Sequence, residues 1–132
     1  MGTVYELDDQ RRAELAHVVM QVLDDWEVAN EHRAALLGLP ADTRPRAMNK
    51  FRQGQPFPED EQLLVRVNVL LSIHNAVRSM QPHNPALGNY WITTPNAFFS
   101  DKTPLEIMVL HGLEGMRRVL NQLNGGSPWD NY

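Results

Sequence analysis

The side chains that most often bind metals or attack substrates are sparse in this sequence and poorly spaced for either task. Cysteine is absent, and the five histidines are scattered at His17, His32, His74, His83 and His111. No two of them form a His-x3-His pair or lie in an HExxH motif, so the sequence predicts no zinc site. For His74, inside a long predicted helix, we favour a half-buried, hydrogen-bonded core role over a ligand role.

Motifs for nucleophilic catalysis and for phosphate binding are also missing. The sequence contains no G-x-S-x-G elbow, no G-x-x-x-x-G-K-[ST] loop and no G-x-G-x-x-G turn. The acid pairs Asp8–Asp9 and Asp24–Asp25 are interpreted as solvated helix faces. Nothing in these residues calls for an enzyme, which stays a minor alternative, and we expect no bound metal and no cofactor.

Positive charge is concentrated in residues 32–54. That segment holds five bases and one acid, whereas residues 1–31 hold eight acids and two bases, and the 132-residue chain has a net charge of −4. Two interpretations fit: a face that meets DNA phosphates, or a solvated basic helix that balances the acidic first helix. The candidate DNA contacts are Arg44, Arg46, Asn49, Lys50 and Arg52, with Gln53 as a second side chain that could reach a base edge.

The last residues, "NGGSPWDNY", predict a flexible tail that ends in aromatic and polar side chains. Exposed aromatic residues are favoured anchors of protein interfaces. The alternative is that Trp129 folds back onto its own domain.

Three short helices are predicted ahead of residue 57. The first runs from about Asp9 to Asp25, with Leu15, Val18, Val19, Val22 and Trp26 facing the core and Arg12 off that face. The second lies within residues 29–39 and stops at Gly38. The third is capped by Asp42 or Thr43 and has Pro45 in its first turn. This order is typical of a helix-turn-helix.

The rest of the chain predicts a long helix, a loop-rich passage and two closing helices. The long helix covers about Glu59–Gln81, and an aromatic turn and a Pro-Asn loop follow. Thr103–Glu106 has the pattern of a capping box, so a helix restarts there and stops near Gly112, before a last helix over about Leu113–Leu123. We expect Trp91 and the Phe98–Phe99 pair to pin the last two helices onto the long one. No segment alternates like a strand, so the fold class is all-α.

The passage "NYWITTPNAFFSDKTPLEIM" and the helices around it resemble the Xre/MbcA/ParS antitoxin family, over roughly residues 10–124. The residues that match the toxin-binding domain motif of that family are Trp91, Pro95, Asn96, Thr103, Pro104, Leu105, Glu106 and Gly112. The segment "AALLGLPADTRPRAMNKFRQG" resembles the Xre-like helix-turn-helix of the family. This chain departs from the family at Ser100-Asp101-Lys102, where the family often has a glycine-containing loop.

The resemblance implies a type II toxin–antitoxin role and three regions. Residues 1–57 would be the Xre-like, DNA-binding region, residues 58–124 the central helix with the toxin-binding domain, and residues 125–132 the tail. The implied partner is a RES-domain toxin that degrades NAD⁺, which the antitoxin neutralises by covering the active site. We assign the direct contacts to the closing helix and the tail, namely Arg117, Arg118, Asn121, Trp129, Asp130, Asn131 and Tyr132.

The same resemblance implies repression of the antitoxin's own operon through operator DNA, and assembly as a homo-oligomer or as a hetero-oligomer with the toxin. The alternative is a DNA-binding transcriptional regulator whose C-terminal domain mainly dimerises. The N-terminus lacks the features of a signal peptide, and no apolar run has the length of a membrane span. We therefore expect a cytoplasmic protein without a membrane partner.

Overall fold

A computed structural model describes residues 8–80 and 82–125, and every regular element within these ranges is helical. The helices are α1 Asp9–Asp25, α2 Asn30–Leu37, α3 Pro45–Arg52, α4 Glu61–Met80, α5 Pro85–Ile92 and α6 Pro104–Asn124, with a 3-10 turn at Ala97–Phe99. Strands are absent from the described part, where Asn96 and Lys102 form an isolated bridge. The predicted all-α class is confirmed.

The chain divides into two units, Met1–Asn68 and Val69–Tyr132, and the division falls inside α4. The domain boundaries expected from the sequence stay predictions. None of the helices in the described ranges combines the length and the apolar character that crossing a membrane requires.

Helix α1 begins where its polar cap predicts, but its buried face differs from the predicted one. The side chain of Asp8 accepts a hydrogen bond from the backbone N–H of Arg11 at 2.8 Å. Val18, expected in the core, is 45% exposed. The completely buried residues of α1 are Ala16, Val19, Met20 and Leu23. The prediction for Val18 is wrong because small Ala16 and flexible Met20 complete a stripe rotated away from it.

Arg12 was expected off the apolar face, and this is also wrong, because the residue is only 8% exposed. Its Nε donates to the backbone oxygen of Phe57 at 2.9 Å, and its guanidinium pairs with Asp9. The N–H of Phe57 donates back to the Arg12 oxygen at 3.3 Å. Phe57 itself lies against Phe51 of α3, with ring centroids 5.0 Å apart. Arg12 therefore holds the connector after α3 against α1.

Helices α2 and α3 are separated by a turn whose cap differs from the prediction. Gly38 has φ 72° and ends α2 as predicted. The residue that precedes α3 is Arg44, which makes no side-chain cap hydrogen bond, so the predicted cap at Asp42 or Thr43 is wrong. The Thr43 hydroxyl instead donates to the Pro40 oxygen at 2.6 Å, within the turn. Pro45 occupies the first turn of α3, as expected.

Helices α4 and α5 approach each other closely at Gly88. A Cβ atom at this position would lie 2.7 Å from the backbone oxygen of Val77. Such a distance is too short for a side chain, and only glycine allows this approach of α5 to the α4 backbone. Nearby Trp91 and Ile92 are 3% and 0% exposed and belong to the core.

The Pro-Asn loop after α5 is held together by Asn96, which is 4% exposed. Its side-chain oxygen accepts from the N–H of Phe98 at 2.8 Å. Its backbone N–H donates to Lys102 at 3.1 Å, and its backbone oxygen accepts from Asp101 at 3.0 Å. Ser100 and Asp101 adopt φ values of 56° and 66°. These left-handed conformations favour glycine, which explains why a glycine-containing loop suits this place.

Helix α6 contains the predicted capping box and the predicted break. The Thr103 hydroxyl accepts from the Glu106 N–H at 2.9 Å, and the Glu106 carboxylate accepts from the Thr103 N–H at 3.0 Å. Gly112 has φ 60° and ψ −134°, which interrupts the helix. The bend is sharp, because a Cβ on Gly115 would lie 2.2 Å from the Ile107 oxygen. The second half of α6 therefore folds back against the first half.

Candidate functional site

The basic face of α3 presents four of its five candidate side chains to solvent: Arg44, Arg46, Asn49 and Lys50. The fifth candidate, Arg52, is committed to contacts within the protein. Its Nε and Nη2 donate to the two carboxylate oxygens of Asp24 at 3.1 and 2.6 Å. Its Nη1 donates to the side-chain oxygen of Asn49, which occupies that acceptor as well. The face that remains consists of three bases beside a partly engaged amide.

Asp24 of α1 forms ion pairs with two arginines of the first unit. Besides Arg52, it pairs with Arg33, whose Nη1 lies 2.8 Å from its carboxylate. The hydrogen bond from Arg52 is the main cause that holds the pKa of Asp24 below its ordinary value. Burial is the next largest effect and raises this pKa, and the hydrogen bond and charge of Arg33 lower it further. Two of the five bases of residues 32–54, Arg33 of α2 and Arg52 of α3, therefore pair with a carboxylate of the acidic first helix.

A hollow of about 620 Å³ lies between α1 and the end of α3. Glu14, His17 and Val18 contribute from α1, and Arg52 to Gly54 contribute from the other side. The Nδ1 atom of His17 lies 3.3 Å from the Arg52 oxygen, at the C-terminal end of α3. The exposed Val18 is thus part of the wall of this hollow, next to the basic helix.

The residues that match the toxin-binding domain motif mainly have structural roles in the second unit. Trp91, Asn96 and Pro104 are buried, and Leu105 is half-buried. Glu106 is exposed, and the hydrogen bond that its carboxylate accepts from the Thr103 N–H lowers the pKa of this carboxyl. Pro95 lies exposed before the Asn96 loop. Their common effect is to fix the start and the bend of α6, and hence the direction of its second half.

The second half of α6 carries the three assigned contact residues that the structure describes. Arg117, Arg118 and Asn121 are all exposed. Arg118 and Asn121 line a cavity of about 360 Å³ together with Phe98 and Gln122. Arg117 is not among the lining residues. The other assigned contacts, Trp129, Asp130, Asn131 and Tyr132, lie outside the described residues.

Phe98 and Gln122 belong to this cavity although the sequence did not assign them to a site. Phe98 was expected to pin helices in the core, and this is wrong, because the residue is 51% exposed while Phe99 is 2% exposed. The two rings meet edge to face with centroids 5.1 Å apart. Gln122 is 8% exposed, and its Nε2 has no hydrogen-bond partner in the described part of the chain. Its spacing from Arg118, one turn along the helix, was the signal available in the sequence.

His74 is half-buried on α4 and takes part in an interaction, which agrees with a role in the fold. Across residues 8–80 and 82–125, the acidic and histidine side chains form no group of three or more that could hold a metal ion.

Comparison with models of protein families finds no match, and comparison with curated proteins finds no match either. The functional conclusion therefore depends on the residues of this chain, on their geometry and on the motif resemblance.

Proposed function

We propose that this chain is the antitoxin of a type II toxin–antitoxin pair. In this proposal it binds a RES-domain toxin that degrades NAD⁺ and neutralises the toxin by covering its active site. The chain acts as a protein-binding module and performs no catalysis itself. The cognate toxin is its main partner, and the hetero-oligomer with the toxin is the functional form.

The second half of α6 carries this proposal. The matching motif residues lie ahead of, at the start of and at the break before a helical segment whose exposed side includes Arg117, Arg118 and Asn121. The capping box fixes where α6 begins, and Gly112 fixes where it turns. Polar and cationic side chains on a fixed helix beside a half-exposed aromatic ring have the composition of a protein-binding surface. This arrangement supports a binding role for α6.

The direct test is co-purification with a RES-domain protein encoded beside this chain, followed by measurement of NAD⁺ in the mixture. We expect a stable complex and protection of NAD⁺. Failure to form a complex, together with undiminished NAD⁺ loss, would contradict the proposal. Deletion of residues 125–132 should weaken protection. Full protection by the truncated chain would refute the contribution of the tail while leaving that of α6 in place.

A second activity, repression of its own operon, is supported by a separate observation. Arg44, Arg46 and Lys50 are exposed on or beside one short helix, and no salt bridge involves them in the described ranges. Such a cluster suits contacts with phosphates, and a dimer would double the number of contacts. This activity also covers the alternative of a transcriptional regulator whose second unit mainly dimerises.

Gel retardation with the promoter DNA tests this second activity. Replacing Arg44, Arg46 and Lys50 by alanine should weaken binding at least tenfold, because each base contributes through counterion release. The control is Arg11→Ala, which removes an exposed base from α1. Equal retardation of the triple variant and of the control would exclude this face of α3.

A further inference from the structure

The cavity on the second unit has an unusual polar lining. Among the residues that the structure describes, it combines the Arg118 guanidinium, the Asn121 amide, the Gln122 amide and the Phe98 ring, without any acidic side chain. Arg118, Asn121 and Gln122 share one face of α6, since they are three and four residues apart. Phe98 reaches the same space from the 3-10 turn. The lining therefore carries one positive charge and several hydrogen-bond donors.

Gln122 favours an occupant of this cavity that accepts hydrogen bonds. The residue is more than nine-tenths buried, and its Nε2 donor has no acceptor among residues 8–80 and 82–125. A buried donor without an acceptor is costly, and buried polar groups normally have partners. Nε2 has almost no accessible surface, so an oxygen acceptor in the cavity would relieve this cost once the Gln122 amide turns toward it. The acceptor would at the same time meet the Arg118 cation. A carboxylate satisfies both, because it accepts several hydrogen bonds and carries the opposite charge.

The volume and Phe98 restrict the occupant further. About 360 Å³ is more than one carboxylate group fills, and it is in the range of cavities that hold small ligands or parts of a chain. The ring of Phe98 is half exposed at this cavity and offers an apolar contact beside the polar ones. An acidic side chain next to an aromatic one therefore fits better than a free inorganic anion.

We propose that this cavity binds an aspartate or glutamate side chain that a partner protein presents beside an aromatic residue. This inference rests on the proposed function, because it assigns the chemistry that the toxin would present to α6. Arg118 pairs with the carboxylate, and the Gln122 amide turns toward the cavity and donates to it. Phe98 packs against the neighbouring aromatic ring.

The probes for the test are the dipeptides acetyl-Phe-Asp-amide and acetyl-Phe-Asn-amide, which differ in one charged group. They are titrated into the full-length ¹⁵N-labelled protein at pH 7, and the side-chain N–H signals of Gln122 are followed by NMR. We expect the aspartate dipeptide to bind at least fivefold more tightly than the asparagine dipeptide. Arg118→Gln should remove this preference, whereas Arg78→Gln, which removes an exposed arginine of α4 outside the cavity, should keep it.

Two outcomes overturn the proposal directly: equal binding of both dipeptides, or unchanged Gln122 signals up to saturating concentrations. A third concerns Asp130, which lies outside the described residues and is a competing carboxylate on the same chain. Binding that appears only in the Asp130→Asn variant would identify that segment as the occupant and would overturn the assignment to a partner protein. None of these titrations contains a toxin, so their failure is distinguishable from failure to protect NAD⁺.

Discussion

The backbone conformation at Gly112 predicts that L-alanine and D-alanine at this position change the free energy of unfolding in opposite directions. The backbone at this position has φ 60° and ψ −134°. Apart from its chain neighbours and the nearby backbone of its own helix, no atom lies within 4 Å of the place where the Cβ of an L residue would stand. The methyl group of L-Ala would therefore meet open space, and its effect on stability must come from the backbone conformation. The mirror image of this conformation is an ordinary extended one.

The magnitudes follow from these two facts. In a backbone region that favours glycine, L-Ala destabilises the folded state by about 1–3 kcal/mol. Alanine also restricts the unfolded chain, which stabilises the protein by about 0.4–1 kcal/mol. Gly112→Ala should therefore lower the free energy of unfolding by about 1–2 kcal/mol. D-Ala adopts the native φ and ψ without backbone strain. Where its methyl group, which replaces the other Cα hydrogen, also meets open space, it should raise that free energy by about 0.4–1 kcal/mol. The two enantiomers should differ by about 2 kcal/mol, which is roughly thirtyfold in the unfolding equilibrium.

Urea unfolding followed by far-ultraviolet circular dichroism measures this difference. The chain lacks cysteine. Ligation at a temporary cysteine in place of Ala97, followed by desulfurisation, would therefore join a synthetic segment without leaving a trace. Equal stability of the two enantiomers would refute the reasoning, because both add the same atoms. Destabilisation by D-Ala larger than that by L-Ala would show that the D methyl group, which replaces the other Cα hydrogen, collides with a neighbour.

Three further predictions concern other positions of the chain, each checked by urea unfolding. Gly88→Ala should destabilise by about 1–3 kcal/mol, since its Cβ would lie 2.7 Å from the Val77 oxygen, and a loss under about 0.5 kcal/mol would argue against this close approach. Ser100→Gly should stabilise by about 0.5–1 kcal/mol because it relieves φ 56°, and an unchanged midpoint would contradict that strain. Asp24→Asn should destabilise by at most about 1 kcal/mol at pH 7, because the pair with Arg52 is partly exposed. The pKa of Asp24 is depressed in the folded state, so its contribution is complete above the ordinary value of 3.8 and is lost as the pH falls through the folded-state pKa. A difference between wild type and variant that persists below that range would contradict this assignment.

Local signals predicted the ends of elements well. The observed α1 has the predicted bounds, and Gly38, the Thr103 capping box and the Gly112 break lie where the sequence indicated. These features depend on interactions within one turn of helix or on the backbone freedom of glycine. Short-range interactions and glycine positions can both be recognised from a few neighbouring residues, so a single sequence is enough to find them.

Contacts between distant residues were not predictable in the same way. Arg12 is buried because its acceptor belongs to Phe57, 45 residues later. Arg52 is withdrawn from the basic face by Asp24, 28 residues earlier. Phe98 and Phe99 are adjacent and chemically identical, and only the course of the 3-10 turn decides which ring is buried. The cavity on α6 was missed for the same reason, since Phe98 reaches it through the loop.

The pairing of Asp24 with Arg52 has a consequence for the thermodynamics of ion release. The slope of the logarithm of a DNA-binding constant against the logarithm of salt concentration reports about 0.9 released ions for each neutralised phosphate. With Arg52 held by Asp24, the bases left on this face are Arg44, Arg46 and Lys50, so each protomer should give a slope of about −2.7. Freeing Arg52 by removing the Asp24 carboxylate would add one counterion and steepen the slope to about −3.6. In the proposed DNA complex, an acidic residue outside the basic segment would thereby set how strongly the binding by that segment responds to salt.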